Sequence, residues 1–222
     1  MSARDEAIAE LATLVAARTL PHPTRVAVDG ITASGKTTLA NELAAALAAT
    51  GPPVLRLSMD GYHHPRAHRY RQGRGSADGY YEDAYDFPSF AELVLRPLGP
   101  GGAGRYTPAI IDLPTDTPLD RTPVPVPGAA WLVVDGSFLQ RDELAGLWDV
   151  VVWVDTPFAE ARRRGIARDT DLLGGVDAAA TAFDERYHAA ARRYLAEVDP
   201  AAHADVVFVN TDVHRSEVRR VG

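Results

Sequence analysis

The chain has 222 residues, 46% of them hydrophobic, and a formal net charge of −7. That length fits one domain carrying a lid or an insertion, with enough apolar residues for a core. The acidic balance lacks the basic footprint of a nucleic-acid binder, and the absence of cysteine excludes disulfides, thiolate metal sites and a cysteine nucleophile. The polar start Ser2-Ala3-Arg4-Asp5-Glu6 is unlike a signal peptide, and no apolar run reaches the length of a membrane span. The expectation is a cytoplasmic protein with a small-molecule partner and no nucleic-acid or membrane partner. Homo-oligomerisation stays open.

Residues 3–19 read as an amphipathic helix, with Ile8, Leu11, Ala12 and Val15 on one face and Pro21 and Pro23 ending it. Arg25 to Asp29 reads as a short buried strand. Gly30-Ile31-Thr32-Ala33-Ser34-Gly35-Lys36-Thr37 then fits the phosphate-binding pattern G-x-x-x-x-G-K-[ST], and Leu39, Leu43 and Leu47 continue as a helix. A strand, a glycine loop and a helix N-terminus together trap an anion, because loop N–H groups point inward and the helix dipole adds positive charge. Gly30 and Gly35 allow close backbone approach. Thr32, Ala33, Ser34 and Thr38 complete the nucleotide-binding stretch, Lys36 reaches toward the β- and γ-phosphates, and Thr37 is a Mg²⁺ ligand candidate. Of the 23 Lys and Arg residues, Lys36 is the only lysine. Its compact charge is one that a guanidinium fork copies poorly.

Val54 to Met59 is a second strand, ending at Asp60-Gly61. A carboxylate at that strand end can take the proton of a substrate hydroxyl, although Asp-Gly is also a favoured turn. Residues 61–128 lack long apolar runs and are rich in aromatics, His, Arg, Gly and Pro. They read as a substrate-binding insertion, with a short helix at 89–98 and strand-like pieces at 106–113. Here Tyr62, His63, Arg66, Tyr85, Arg105 and Tyr106, with Asp60, are candidates for holding the substrate. The histidine spacing matches no zinc pattern.

Trp131 to Val134 is a buried strand ending at Asp135-Gly136, the Walker B arrangement that puts a carboxylate near Mg²⁺. Residues 149–154 form another strand, with Thr156 as helix cap and Pro157 at the first helical position. Arg164 and Arg168 share a face of that helix and are catalytic candidates over the transferring phosphate, or else a solvated basic face. Residues 170–177 read as a break within a small lid spanning about 164–178. A long helix over 178–198 and a strand at 206–209 complete an α/β pattern with a mostly parallel sheet.

The phosphate loop alone does not fix the class. A Ras-type Asn-Lys-x-Asp guanine reader is impossible with Lys36 as the only lysine, and the Leu-Ser-Gly-Gly-Gln motif of transport ATPases is absent. The segment Val28 to Thr38, together with Met59-Asp60-Gly61-Tyr62, Asp83-Ala84-Tyr85-Asp86-Phe87, Asp135-Gly136, Arg164 and Arg168-Asp169, resembles the uridine kinase family. This family lies within the wider phosphoribulokinase and pantothenate kinase group. The likeness runs along nearly the whole chain after residue 25.

The resemblance implies a P-loop NTPase fold with five parallel strands in the order 2-3-1-4-5, flanked by helices and carrying a lid. It implies ATP and Mg²⁺ as cofactors, and Asp60 as general base. The expected activity is ATP-dependent phosphotransfer to a hydroxyl of a small metabolite, with a nucleoside first. Pantothenate, nicotinamide riboside or a sugar are alternatives, and a nucleotide-binding regulator without turnover is the reading from another class. The sequence departs from the family at Arg105-Tyr106, where no histidine follows, and in residues 170–177, which carry no further lid arginine.

Overall fold

The structure is a computed structural model and describes residues 2–221. Its centre is a pair of strands, β1 (Thr24–Gly30) and β3 (Trp131–Gly136), buried at every position. With β2 (Val54–Ser58), β4 (Val150–Asp155), β5 (Val206–Val209) and β6 (Glu217–Arg220), they form a sheet ordered β2-β3-β1-β4-β5-β6. The first five are parallel, in the expected order. The sixth, antiparallel to β5, was not expected. Register aligns Val28 and Ser58 with Asp135 on either side of β3, so Gly30, Ser58 and Asp135 gather at one C-terminal edge. Ligands of open parallel sheets bind at that edge.

Strand alternation sorts the side chains into two cores. Val26, Val28 and Val133 pack with Leu11 of α1 (Ala3–Ala16) and with Leu39 and Leu43 of α2 (Lys36–Ala48). On the opposite face, Ala27, Leu132 and Val134 join Met59, Phe90 and Phe138. Each fully buried large side chain contributes about 1.5–3 kcal/mol. Arg25 at the base of β1 is buried and forms two 2.8 Å bonds to the Asp149 carboxylate, tying β1 to the start of β4.

Several expected elements shift. Residues 61–128 are more helical than expected. They contain α3 (Ala77–Asp83), whose N-cap Ser76 accepts from the Gly79 N–H, and a turn at Arg66–Arg69. The helix placed at 89–98 is Phe87–Phe90 running into the π-turn Ala91–Leu95. The break placed at 170–177 shrinks to two glycines, because α4 (Phe158–Leu173) continues until Gly174 takes a left-handed C-cap. The long helix over 178–198 is α5 (Val176–Thr181), a π-turn at Ala182–Tyr187 and α6 (His188–Val198). Thr156 does not cap α4, since Pro157 holds that position.

Among the described residues, no helix is long and apolar enough to cross a membrane.

Candidate active site

The turn from β1 into α2 is held open for an anion. Gly35 has φ +96° and Ala33 φ +65°, both in the left-handed region. A Cβ at Gly30 would lie 2.7 Å from Ser34 Oγ and 2.9 Å from the Val154 carbonyl, so only glycine fits there. The N-terminus of α2 has no side-chain cap, and its first-turn N–H groups are free for a ligand. Ser34 Oγ is buried without a hydrogen-bond partner.

Distant residues brace the loop. Asn210 Nδ2 donates to the Ser34 carbonyl at 2.7 Å, as does Thr156 Oγ1 at 3.0 Å. Asn210 Oδ1 in turn accepts from Arg4 at 3.0 Å. Below the loop, Asp29 is wholly buried and accepts from Tyr194 Oη (2.5 Å), Gln140 Nε2 (3.2 Å) and the Gly30 N–H (2.8 Å). Burial raises the Asp29 pKa against those hydrogen bonds.

Lys36 Nζ donates to the Ile31 carbonyl at 2.8 Å. Burial pushes its pKa down to about 8, while Asp29, Asp135 and Asp60 pull the other way. Thr37 Oγ1 donates to Asp135 Oδ2 at 2.5 Å, and Arg56 Nη2 meets Asp135 Oδ1 at 2.6 Å. A hydroxyl beside a carboxylate suits a hard cation, and Mg²⁺ takes one or two protein oxygens plus substrate phosphates. The uncapped helix, the orphaned Ser34 hydroxyl and the lysine fit a polyphosphate with its magnesium.

In front of this edge lies an open cleft of about 710 Å³, lined by Lys36, Asp60, His63, Asp135 and Arg168 among others. Asp60 sits in the 3₁₀ turn Met59–Tyr62 directly after β2, and its carboxylate opens into the cleft. His63 Nδ1 donates to the Ala84 carbonyl at 2.8 Å, which turns Nε2 toward Asp60 Oδ1 at 3.5 Å. The His63 ring nitrogen facing it at that distance lowers the Asp60 pKa from the usual carboxylate value, against desolvation, and the charges of Lys36 and Arg168 act in the same direction. Asp60 thus stays an ionised acceptor beside the lysine. A second cleft of about 460 Å³ lies on the far side of the loop, between Thr38, Arg164, Asn210 and His214.

No protein-family model matches the chain. The uridine kinase of Leuconostoc citreum (strain KM20) is 26% identical over 182 residues, covering 82% of this chain and 80% of that protein. A structure from Bacillus stearothermophilus, described as a possible uridine kinase, superposes with a TM-score of 0.71 at 28% identity over 93% of this chain and 98% of that one. A protein from Silicibacter sp. TM1040, provisionally named a fructose transport system kinase, gives 0.70 at 26% over 86% and 95%. Phosphoribulokinase from Rhodobacter spheroides shares the fold at 0.59 and 16% identity, over 85% and 70%. The chain is a P-loop kinase similar in sequence to uridine kinases, and it shares its fold with phosphoribulokinase.

The kinase brings most of the residues singled out from its sequence to this edge. Thr32, Ala33, Lys36, Thr37, Asp60 and Asp135 line the main cleft together. His63, Arg66, Tyr85 and Arg168 line it as well. Others fall elsewhere. Tyr62 is fully buried against Phe90 and gives its hydroxyl to the Thr107 carbonyl, so it does not line the cleft. Arg105 is exposed on a two-residue strand and donates to the Pro123 carbonyl, and Tyr106 packs against the core beside it; neither lines the cleft. Arg164 binds Glu160 and the Asn210 and Thr211 carbonyls, lining only the second cleft. Arg168 pairs with its neighbour Asp169 at 2.7 Å while facing both clefts.

Sequence reasoning missed the braces Asp29, Thr156, Tyr194 and Asn210, along with Arg56 on the Asp135 carboxylate. Only Asp29 had a local signal, its place directly before Gly30.

Proposed function

We propose that this kinase uses ATP and Mg²⁺ to phosphorylate a hydroxyl of a small polar metabolite of about nucleoside size. The observation that carries this reading is Asp60. It is an ionised carboxylate at the end of β2, oriented by His63, in one cleft with the lysine of the phosphate loop. A mere nucleotide binder has no need of such a base.

The loop N–H groups and Lys36 would hold the phosphates, while Thr37 and Asp135 would hold the magnesium, which neutralises charge on the transferring group when bound. Asp60 would face the acceptor hydroxyl and take its proton late. Arg168 would meet charge developing on the phosphoryl oxygens. The second cleft, beyond Thr38, would take the nucleoside end of ATP. Nucleosides are the first acceptors to test, as the relatives named uridine kinase suggest, with the half-buried Tyr187 ring lining the cleft.

A coupled ADP-release assay over nucleosides, vitamins and sugars tests the reading. Acceptor-dependent ADP release is expected. ATP binding without release on any acceptor would favour the regulator instead.

A further inference from the structure

Arg4 stands in the first turn of α1, the helix end whose dipole disfavours a cation and suits the neighbouring Asp5 and Glu6. Its guanidinium reaches two other elements instead. Nε and Nη2 donate to the two Glu42 oxygens at 3.0 and 2.6 Å. Nη1 donates to Asn210 Oδ1 and Ser216 Oγ, each at 3.0 Å, and to the Val213 carbonyl at 3.3 Å. Glu42 belongs to α2, the helix that starts at the phosphate loop, and the other acceptors follow β5. A largely buried fork with an acceptor at each nitrogen holds its partners in one arrangement.

That arrangement reaches the loop through the buried Asn210 amide. A guanidinium only donates and a carbonyl only accepts, so the amide has one workable orientation. Oδ1 faces Arg4, and Nδ2 faces the Ser34 carbonyl 2.7 Å away. Turned over, it would set donor against donor and acceptor against acceptor. Thr156 Oγ1 donates to the same carbonyl at 3.0 Å. The peptide from Ser34 to Gly35 is trans and planar, so its C=O and N–H point in opposite directions. With the carbonyl fixed on Asn210 and Thr156, the Gly35 N–H is turned away from them. The amide also packs directly on Gly35, where a Cβ would lie 2.5 Å from Nδ2.

We infer that Arg4 is a positioning residue for nucleotide binding. By holding the Asn210 amide it orients the Ser34–Gly35 peptide, so that the Gly35 N–H faces the triphosphate. The inference rests on the role given to the loop in the phosphotransfer reading, and it adds a residue outside both the loop and the strand ends. Arg4 also lines the second cleft, so the test separates action through the loop from contact with the nucleoside end.

Binding to the whole chain is measured directly with two probes, each with Mg²⁺: inorganic tripolyphosphate, which has no nucleoside end, and a non-hydrolysable ATP analogue. Arg4→Gln should weaken both by the same factor, about tenfold or more, the scale of a lost charge-assisted hydrogen bond. A loss on the ATP analogue alone puts Arg4 on the nucleoside and overturns the inference, as does no loss on either probe. Action through Asn210 also requires that the double variant of Arg4→Gln with Asn210→Ala bind tripolyphosphate no more weakly than Asn210→Ala alone. Losses that multiply overturn it. If Arg4→Gln does not fold, Arg4→Lys keeps the ion pair with Glu42 and gives up the fork, so it should still lose about threefold or more in tripolyphosphate affinity. Arg4→Lys at the parent affinity overturns the inference. If the parent chain binds neither probe, the phosphate-loop reading itself falls, and hydrogen exchange without ligand decides the inference. Residues 30–38 should then exchange faster in the Arg4 variant by a larger factor than β3, which opens only with the whole fold. Equal factors in the two segments overturn it.

Discussion

Lys36 keeps its charge in a place that disfavours charge. Its folded pKa of about 8 lies below its ordinary 10.5. The folded chain therefore binds fewer protons than the unfolded one between about pH 8 and 10.5, and the contribution of this group to stability rises with pH across that window. Activity runs the opposite way, because the phosphates need the charged form. The kcat/KM for ATP should fall above about pH 8, since this ratio reports the free enzyme. A profile flat to pH 10 would remove Lys36 from that role. Lys36→Ala should leave a folded protein with turnover down by about a hundredfold or more, as for a lost electrostatic donor. Asp60→Asn keeps the shape and removes the proton acceptor, so kcat should drop by about 10²- to 10⁴-fold with ATP affinity nearly unchanged. A turn residue would tolerate Asn, and an Asn variant above half the parent kcat ends the base assignment. These residues were legible because anion binding needs contiguous backbone and because a strand end marks a site. Asn210 and Tyr194 were not, since each reaches the loop from a distant part of the chain and neither residue type is diagnostic.

On α4 the two arginines four residues apart do different work. Arg164 spans from Glu160 to the Asn210 and Thr211 carbonyls, so it joins the helix to the segment that braces Ser34. Arg164→Ala should cost about 1–3 kcal/mol in chemical denaturation, the scale of a broken charged network, and should weaken ATP binding as much as turnover. Arg168→Ala should instead lower kcat with little change in the affinity for ATP measured directly. Equal kinetic behaviour of the two variants would contradict this division. Midway, a Cβ on Gly165 would meet the Phe183 ring at 2.0–2.7 Å, so Gly165→Ala should destabilise by about 1–3 kcal/mol, read from the same denaturation curves. The shared helical face was visible from the spacing, but the partners were not, because they lie across tertiary contacts. Five strands were legible as apolar runs. The sixth, Glu217-Val218-Arg219-Arg220, has one apolar residue and pairs only because β5 offers an edge. The helix Ala77–Asp83 was hidden by its aromatic and acidic composition.

Across the whole molecule, the sheet edge separates two clefts that meet at the phosphate loop, with Ala33 and Arg168 lining both. One lies beside α2 and the Asn210 segment. The other is lined by the segment after β2 and by the π-turn Ala182–Tyr187. This arrangement predicts separable responses to ligand in hydrogen exchange. ATP alone should protect mainly residues 30–38, whose N–H groups would face the phosphates in the proposed complex. The true acceptor should protect residues within 61–128, the region proposed to bind it. At a ligand concentration of 100 times Kd, amides that exchange only from the free state should slow by roughly a hundredfold, the mass-action limit for one site. Because Arg168 faces both clefts, the two ligands together should protect the C-terminal half of α4 more than either alone. Uniform protection by either ligand would mean that the two clefts behave as one, and would set aside the division between nucleotide and acceptor sites.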